Sequence, residues 1–375
     1  MEKNSPSLQA PEVTPQAPAA GPAWVDFHRS LLQEAAAIEW AAVEMGLRTF
    51  PRAFDATLAK VHFRRKKPMT AALRERIRRF LATGYGATGD VRYFNELLWY
   101  DSKEAPDEYT AGCREQFLSS VDHQGVHPFP GVSREEAQAF LTQHGAPAEC
   151  RPDTTEKVCL IGFPPFFGKI HRELTRAGFT VEQYFIPHHP NRKVRLLLSQ
   201  PALVKGISLL KGNRQPYQTL RCRHTDPQIT PVLQERNFSI GFHKINGILK
   251  KNLIDGFRKG LINDHWGLLP FLRGKSTIAW TVLFGFPMAA TLHLIDEGVD
   301  TGRIIGFAPC ATTGLHSLSA IRNRLRATLP ERVVAAVRQL SDPGFSFIEN
   351  TPEKGRTFYE MHPWLEQYVE RNLLA

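Results

Sequence analysis

The spacing of hydrophobic positions changes character near residue 156. From Trp24 to Thr49 apolar residues recur at helical spacing (Leu31, Leu32, Ala35, Ile38, Ala42), and Pro51 stops the pattern. Thr70 to Thr83 predicts a further helix whose apolar face carries Leu73, Ile77, Phe80 and Leu81, with Gly84 fitting the position after its C-cap. Val91 to Tyr100 is densely aromatic and reads as core, with a ligand wall as the alternative. Ser133 and Glu136 form a capping box that opens a helix to His144, closed by Gly145. Ala146 to Thr155 reads as a linker.

Beyond the linker the apolar runs shorten to strand length. Lys157 to Phe163 reads as a buried strand, Phe163 to Gly168 as a loop, Ile170 to Ala177 as an amphipathic helix ending at Gly178, and Val181 to Ile186 as a second strand. That order predicts a right-handed parallel unit. The first loop lacks the glycine spacing of a dinucleotide site. Asn237 to Phe242 predicts a later strand, Leu261-Ile262 the end of another, Thr277 to Leu283 a helix and Thr291 to Ile295 a strand. Asp296 to Gly302 (DEGVDTG) is an acidic, glycine-rich loop, and Leu318 to Leu340 a helix capped by Ser317. The expected fold class is α/β with a parallel-type sheet, preceded by a mainly helical N-terminal domain. The expected division is a disordered tail over 1–23, a helical domain over 24–145, an α/β domain over 156–345 and an extension over 346–375.

Composition narrows the class. The 375 residues suffice for two domains, and 42% hydrophobic with 22% charged residues fits a soluble globular chain. No apolar run is long enough for a membrane span, and the first residues lack the apolar core of a signal peptide. Cys113, Cys150, Cys159, Cys222 and Cys310 have no metal-ligand spacing; an odd, scattered set reads as reduced thiols in a cytoplasm, with no metal site. The net charge of +10 suits a polyanionic partner such as tRNA, or a nucleotide-linked or polyglutamylated ligand, although basic enzymes are common. The run Arg64, Arg65, Lys66, Lys67, Arg74, Arg76, Arg78 and Arg79 reads either as a phosphate-binding face or, more simply, as a solvated helix face.

Candidate chemistry gathers after Gly260. Asn263 and His265 stand at i and i+2, which on an extended backbone turns both side chains to one side. Gly267, Pro270 and Gly274 interrupt regular structure directly afterwards, so the pair lies where a strand runs into a loop. Ligands of parallel sheets bind outside such strand ends. An amide N–H and an imidazolium can both donate to a developing oxyanion, and Asp300 in the acidic loop can fix the imidazole tautomer and favour its cation. The fitting reaction is acyl transfer from an activated amide to a nitrogen nucleophile. Taken singly, Asn-x-His is an ordinary turn pattern, and an Asp in a glycine-rich loop ordinarily caps the backbone.

The combination is more specific. Asn263, His265, Leu268-Leu269-Pro270, Arg273-Gly274 and DEGVDTG, in that order and spacing, resemble the formyltetrahydrofolate-dependent formyltransferases, including methionyl-tRNA formyltransferase and the sugar N-formyltransferases. The resemblance covers about Glu156 to Leu365 and departs at Gly267, where the family has a small hydroxyl residue, and at Trp266 and Lys250, where it commonly has Pro. It implies a Rossmann-like domain, catalysis by Asn263, His265 and Asp300, and N10-formyltetrahydrofolate as co-substrate. It also implies that the pterin lies between Ile245, Ile248 and Leu249 on one side and Glu297, Gly298 and Val299 on the other; the aliphatics read equally well as core. The implied acceptor is the primary amine of a small molecule, such as a nucleotide-linked amino sugar. Methionyl-tRNA is a second possible acceptor, disfavoured because the tail after 345 is too short for that family's C-terminal barrel. Two rival activities stay open, hydrolysis of the formylfolate and ligand binding by a catalytically silent module.

Overall fold

The computed structural model describes residues 27–33, 37–101, 108–129, 131–145, 149–187, 197–198, 200–220, 225–245 and 247–374; the tail over 1–23 lies outside them. The chain divides into two compact units between Arg114 and Glu115. Among the described residues no helix is long and apolar enough to cross a membrane.

The first unit is helical. The segment expected as one helix from Trp24 to Thr49 contains two, Phe27–Leu32 and Trp40–Thr49. Leu31 and Leu47 are both fully buried, and both helices pack on Ala71–Thr88. At about 100° per residue a continuous helix would point these two leucines to nearly opposite sides, so burying both requires the break. Ala71–Thr88 also runs past its expected end. Gly84 is interior, where a Cβ would lie 2.3 Å from the Tyr93 ring, and the left-handed residue after the helix is Gly89 at φ 67°. Val91–Tyr100 is a helix with Tyr93, Phe94, Leu97 and Tyr100 buried, so the aromatic run is core. Much of the basic run is engaged within the unit. Arg65 covers the Trp99 ring at 4.2 Å and Arg79 the Trp40 ring at 4.6 Å, while Arg78 pairs with Asp101 at 3.3 Å and Arg76 donates to the Ser30 carbonyl at 2.9 Å.

The described residues of the second unit contain nine strands: β1 (Lys157–Gly162), β2 (Thr180–Phe185), β3 (Gln218–Thr219), β4 (Ile240–Lys244), β5 (Gly260–His265), β6 (Leu272–Gly274), β7 (Ala289–Leu294), β8 (Ile304–Pro309) and β9 (Arg356–Phe358). Seven form one sheet in the order β3-β2-β1-β4-β5-β7-β8, and β6 pairs with β9. From β3 to β5 every pairing is parallel, whereas β7 is antiparallel to β5 and β8 to β7. The short DEGVDTG connection explains the last reversal, because a tight loop joins only antiparallel neighbours. One face of the sheet packs on the helices Gly168–Arg176 and Leu329–Ser341, and the other on Ile229–Glu235 and Lys251–Ile254. With both faces covered, the parallel strands read as continuous apolar runs.

Two further expectations need correction. The segment 318–340 is two helices, Leu318–Ala327 and Leu329–Ser341, because Pro330 lacks an N–H and starts a new helix. The capping-box helix Arg134–His144 belongs to the second unit rather than to a domain over 24–145. Its Arg134 donates to the Phe284 carbonyl at 2.8 Å, and its Phe140 packs on Phe271 and Phe307.

Candidate active site

Strand β5 sorts its side chains by parity. Leu261 enters the core on one face and Ile262 the core on the other. Asn263 and His265 share the face of Leu261, and Asp264 takes the opposite one. Across the antiparallel pairing, Asn263 stands opposite His293 of β7 and His265 opposite Thr291. Asp300 reaches the same group from the acidic loop, at a backbone φ of 52°. That left-handed conformation is uncommon outside glycine but tolerated by Asp. Asn350 fixes it by donating to the carbonyls of Asp300 (3.0 Å) and Gly302 (2.8 Å).

The three residues singled out from sequence therefore come together. Asp300 Oδ2 lies 3.4 Å from His265 Nδ1 and accepts the Gly274 backbone N–H at 2.9 Å. Asp300 Oδ1 accepts from Asn263 Nδ2 at 3.4 Å and lies 3.5 Å from His293 Nε2. Burial raises the Asp300 pKa, but His265, His293 and the Gly274 N–H outweigh it and hold the carboxyl well below the usual carboxylate range. The neighbouring carbonyls assign the ring hydrogens. His293 Nδ1 donates to the Leu294 carbonyl at 2.7 Å, and its Nε2 stands 3.1 Å from Asn263 Nδ2 and 3.5 Å from Asp300 Oδ1. His265 Nε2 donates to the Leu272 carbonyl at 2.8 Å. Both nitrogens of His265 thus face acceptors, the Leu272 carbonyl and the Asp300 carboxylate.

On the other face of β5, the buried Asp264 carboxylate is held by Arg332 through both Nε (3.0 Å) and Nη2 (2.8 Å), by the Trp266 indole N–H at 2.6 Å, and by Lys244 at 3.5 Å. This cluster fixes the strand between the two candidate catalytic residues.

Residues 187–337, which contain Asn263, His265 and Asp300, match the family model described as "Formyl transferase". This segment is thus similar to the formyl transferase family. The chain is 27% identical over 188 residues to a methionyl-tRNA formyltransferase of Chromobacterium violaceum, a match covering 49% of this chain and 60% of that protein. It is 30% identical over 119 residues to a phosphoribosylglycinamide formyltransferase of Mycobacterium tuberculosis, covering 32% of this chain and 54% of that protein. The matches thus span between half and two thirds of these relatives. A solved sugar N-formyltransferase from Shewanella superposes with a TM-score of 0.41 at 14% identity, covering 59% of this chain and 88% of that one.

The departure at Gly267 from the formyl transferase pattern has a steric cause. A Cβ there would lie 2.8 Å from His265 Nε2 and 2.9 Å from Thr277 Cβ. Any side chain at this position would press on the His265 ring where it meets Leu272. Thr291 holds the same turn, donating to the Gly267 carbonyl (2.6 Å) and accepting from the Leu269 N–H (3.2 Å).

The residues implied for the pterin divide by exposure. Ile245 and Leu249 are buried in the core cluster with Leu253, whereas Ile248 is 61% and Val299 44% exposed. Glu297 and Gly298 are exposed, in a turn that Asp296 closes by accepting from the Gly298 N–H (3.0 Å) and the Thr301 hydroxyl (2.7 Å). Cavities of about 1070, 530 and 550 Å³ are lined by residues other than Asn263, His265 and Asp300. Among the described residues no group of three or more His, Cys, Asp or Glu is arranged to hold a metal ion.

Two functional candidates escaped the sequence reading, His293 and His243. The first sits inside the strand TLHLI with nothing local to distinguish it; its one signal is the cross-strand register. The second follows directly on the apolar run ending at Phe242. Burial, then Lys244 and His293, drives the His243 pKa down to about 3, against weaker opposition from Asn263 and Asp300. A stability consequence follows. Between pH 6.5 and 3 the unfolded chain binds a proton at this ring that the folded chain excludes, so stability falls as pH falls through that window, by up to ~1.4 kcal/mol per pH unit. Urea midpoints of the second unit measured from pH 7 to 4.5 should show that slope, and His243→Asn should flatten it. An unchanged slope in the variant would exclude His243 as its source.

Proposed function

We propose that this chain transfers a formyl group from N10-formyltetrahydrofolate to a primary amine of a small-molecule acceptor, a nucleotide-linked amino sugar being the class that best suits its net positive charge. The observation that carries the reading is the joining of Asn263, His265 and Asp300 in one hydrogen-bonded network at the carboxyl end of β5, within the segment that is similar to the formyl transferase family. The amine nitrogen attacks the formyl carbon and the carbonyl electron pair moves onto oxygen. As that pair returns, the bond from carbon to N10 breaks. The amine loses one proton and N10 gains one. His265, with the ionised Asp300 beside it at 3.4 Å, is suited to take the first proton and pass it on. Asn263, half-buried, bridges His293 and Asp300 through its amide and so holds the carboxylate in place. Exposed Ile248 and Val299 offer apolar surface that a pterin ring would cover.

The test is incubation with N10-formyltetrahydrofolate and a panel of amines, with mass detection of a formyl adduct. The panel should include amino-sugar nucleotides and methionyl-tRNA, and formate release should be followed in the absence of amine. An adduct about 28 Da heavier than one acceptor is the expected result, the mass of a formyl group replacing a hydrogen. Formate without any adduct would replace transfer by hydrolysis. No binding of a tetrahydrofolate analogue by the folded protein would leave a silent module.

A further inference from the structure

His243, next to last in β4, is 7% exposed, and its Nδ1 accepts the Ile245 backbone N–H at 3.2 Å. A nitrogen that accepts this bond carries no hydrogen, so the neutral ring holds its hydrogen on Nε2. The depressed pKa keeps the ring neutral under physiological conditions. Among the described residues that Nε2–H makes no hydrogen bond of ordinary distance and angle, and the nearby Asn263 side chain favours the protonated ring only weakly. His293, Asn263 and Asp300 are the site groups that act on the ring. A buried donor without an acceptor is costly and rare in folded proteins, and one at a site marks a place where a ligand atom completes the bond.

The other side-chain donors of the cluster are already engaged. Asn263 Nδ2 faces His293 Nε2 at 3.1 Å and Asp300 Oδ1 at 3.4 Å, and His265 Nε2 donates to the Leu272 carbonyl at 2.8 Å. We propose that His243 is a further catalytic residue, donating its Nε2–H to the formyl oxygen as that oxygen becomes an oxyanion; this rests on the formyl-transfer reading. The hydrogen bond holds the oxygen while the bond to the amine forms and the bond to N10 breaks. The proton stays on His243 throughout, so the transfer of one proton from amine to N10 is unchanged. A neutral ring suits this task, because it stabilises the oxyanion without protonating it.

Two substitutions separate this role from a structural one. In His243→Asn the side-chain oxygen falls near the position of Nδ1, which keeps the bond to Ile245 and withdraws the far N–H. In His243→Gln the amide reaches the position of Nε2 and offers an N–H there. The binding probe is 10-formyl-5,8-dideazafolate, a stable carrier of an N10-formyl group, compared with its deformylated form. In the wild type the His243 Nε2–H resonance should move downfield with the formylated probe only. Turnover should fall about a hundredfold in His243→Asn, and His243→Gln should retain about tenfold more than that, with the probe's Kd within about threefold in both. An unmoved resonance with the probe bound overturns the proposal, as does full turnover in His243→Asn. The reverse order, with the Gln variant worse, would assign His243 to holding the Ile245 backbone. Failure of the wild type to bind either probe would bring down the folate reading itself, an outcome distinct from a bound probe that leaves His243 unaffected.

Discussion

His265→Ala is expected to lower formyl transfer by about a hundredfold or more while leaving folate binding nearly unchanged. The ring is the partner of Asp300, with Nδ1 at 3.4 Å from the carboxylate and Nε2 on the Leu272 carbonyl. Its removal leaves Asp300 with Asn263, His293 and the Gly274 N–H, a set that holds the carboxylate but offers no equivalent path for the amine's proton. Exposed Ile248 and Val299 do not depend on that ring, so donor affinity should survive. Single-turnover rates with saturating formyl donor separate the two effects, and a thermal melt accounts for the unpaired Leu272 carbonyl. Near-wild-type rates in a folded variant would remove His265 from the mechanism.

The largest stability effect is expected at Arg332→Met. The Asp264 side chain is fully buried, and Arg332 provides its bidentate contact at 2.8–3.0 Å. Without Arg332 the carboxylate keeps the Trp266 indole and a Lys244 ammonium at 3.5 Å. Breaking one side of a buried pair costs about 3–5 kcal/mol, because the remaining charge is left in a poorly solvated site. Removing both partners, as in Asp264→Leu with Arg332→Met, is expected to recover most of that loss, since two apolar side chains need no solvation. The measurement is a urea titration read by hydrogen exchange on β5 amides, which confines the signal to the second unit. A loss below about 1 kcal/mol in the single variant would show that the pair is not the anchor of this strand. Because Asp264 lies between Asn263 and His265, the single variant should also lower turnover, and the double variant should restore it only if β5 regains its register.

Much of the site was legible in the sequence. The i, i+2 spacing of Asn263 and His265 fixed their common face, because side-chain direction along a strand has period two whatever lies beside it. The density of the pattern from Asn263 to Gly302 carried the family, and with it Asp300. Local pattern stops at the strand's own edge. It does not say which strand lies alongside or in what register, and so it could not reveal that the antiparallel pairing of β7 sets His293 opposite Asn263, or that β4 brings His243 to the same group. The Asp264–Arg332 pair joins residues 68 positions apart and was equally silent. In the first unit the helical period was read correctly, but tertiary packing placed the break between Leu31 and Leu47 and made Gly84 an interior contact with Tyr93 rather than a terminus. Element type and the facing of each side chain were thus settled along the linear chain, since both follow from local backbone geometry. Which donors are engaged and which one is left over was settled by folding alone, since that depends on neighbours brought together from distant parts of the chain.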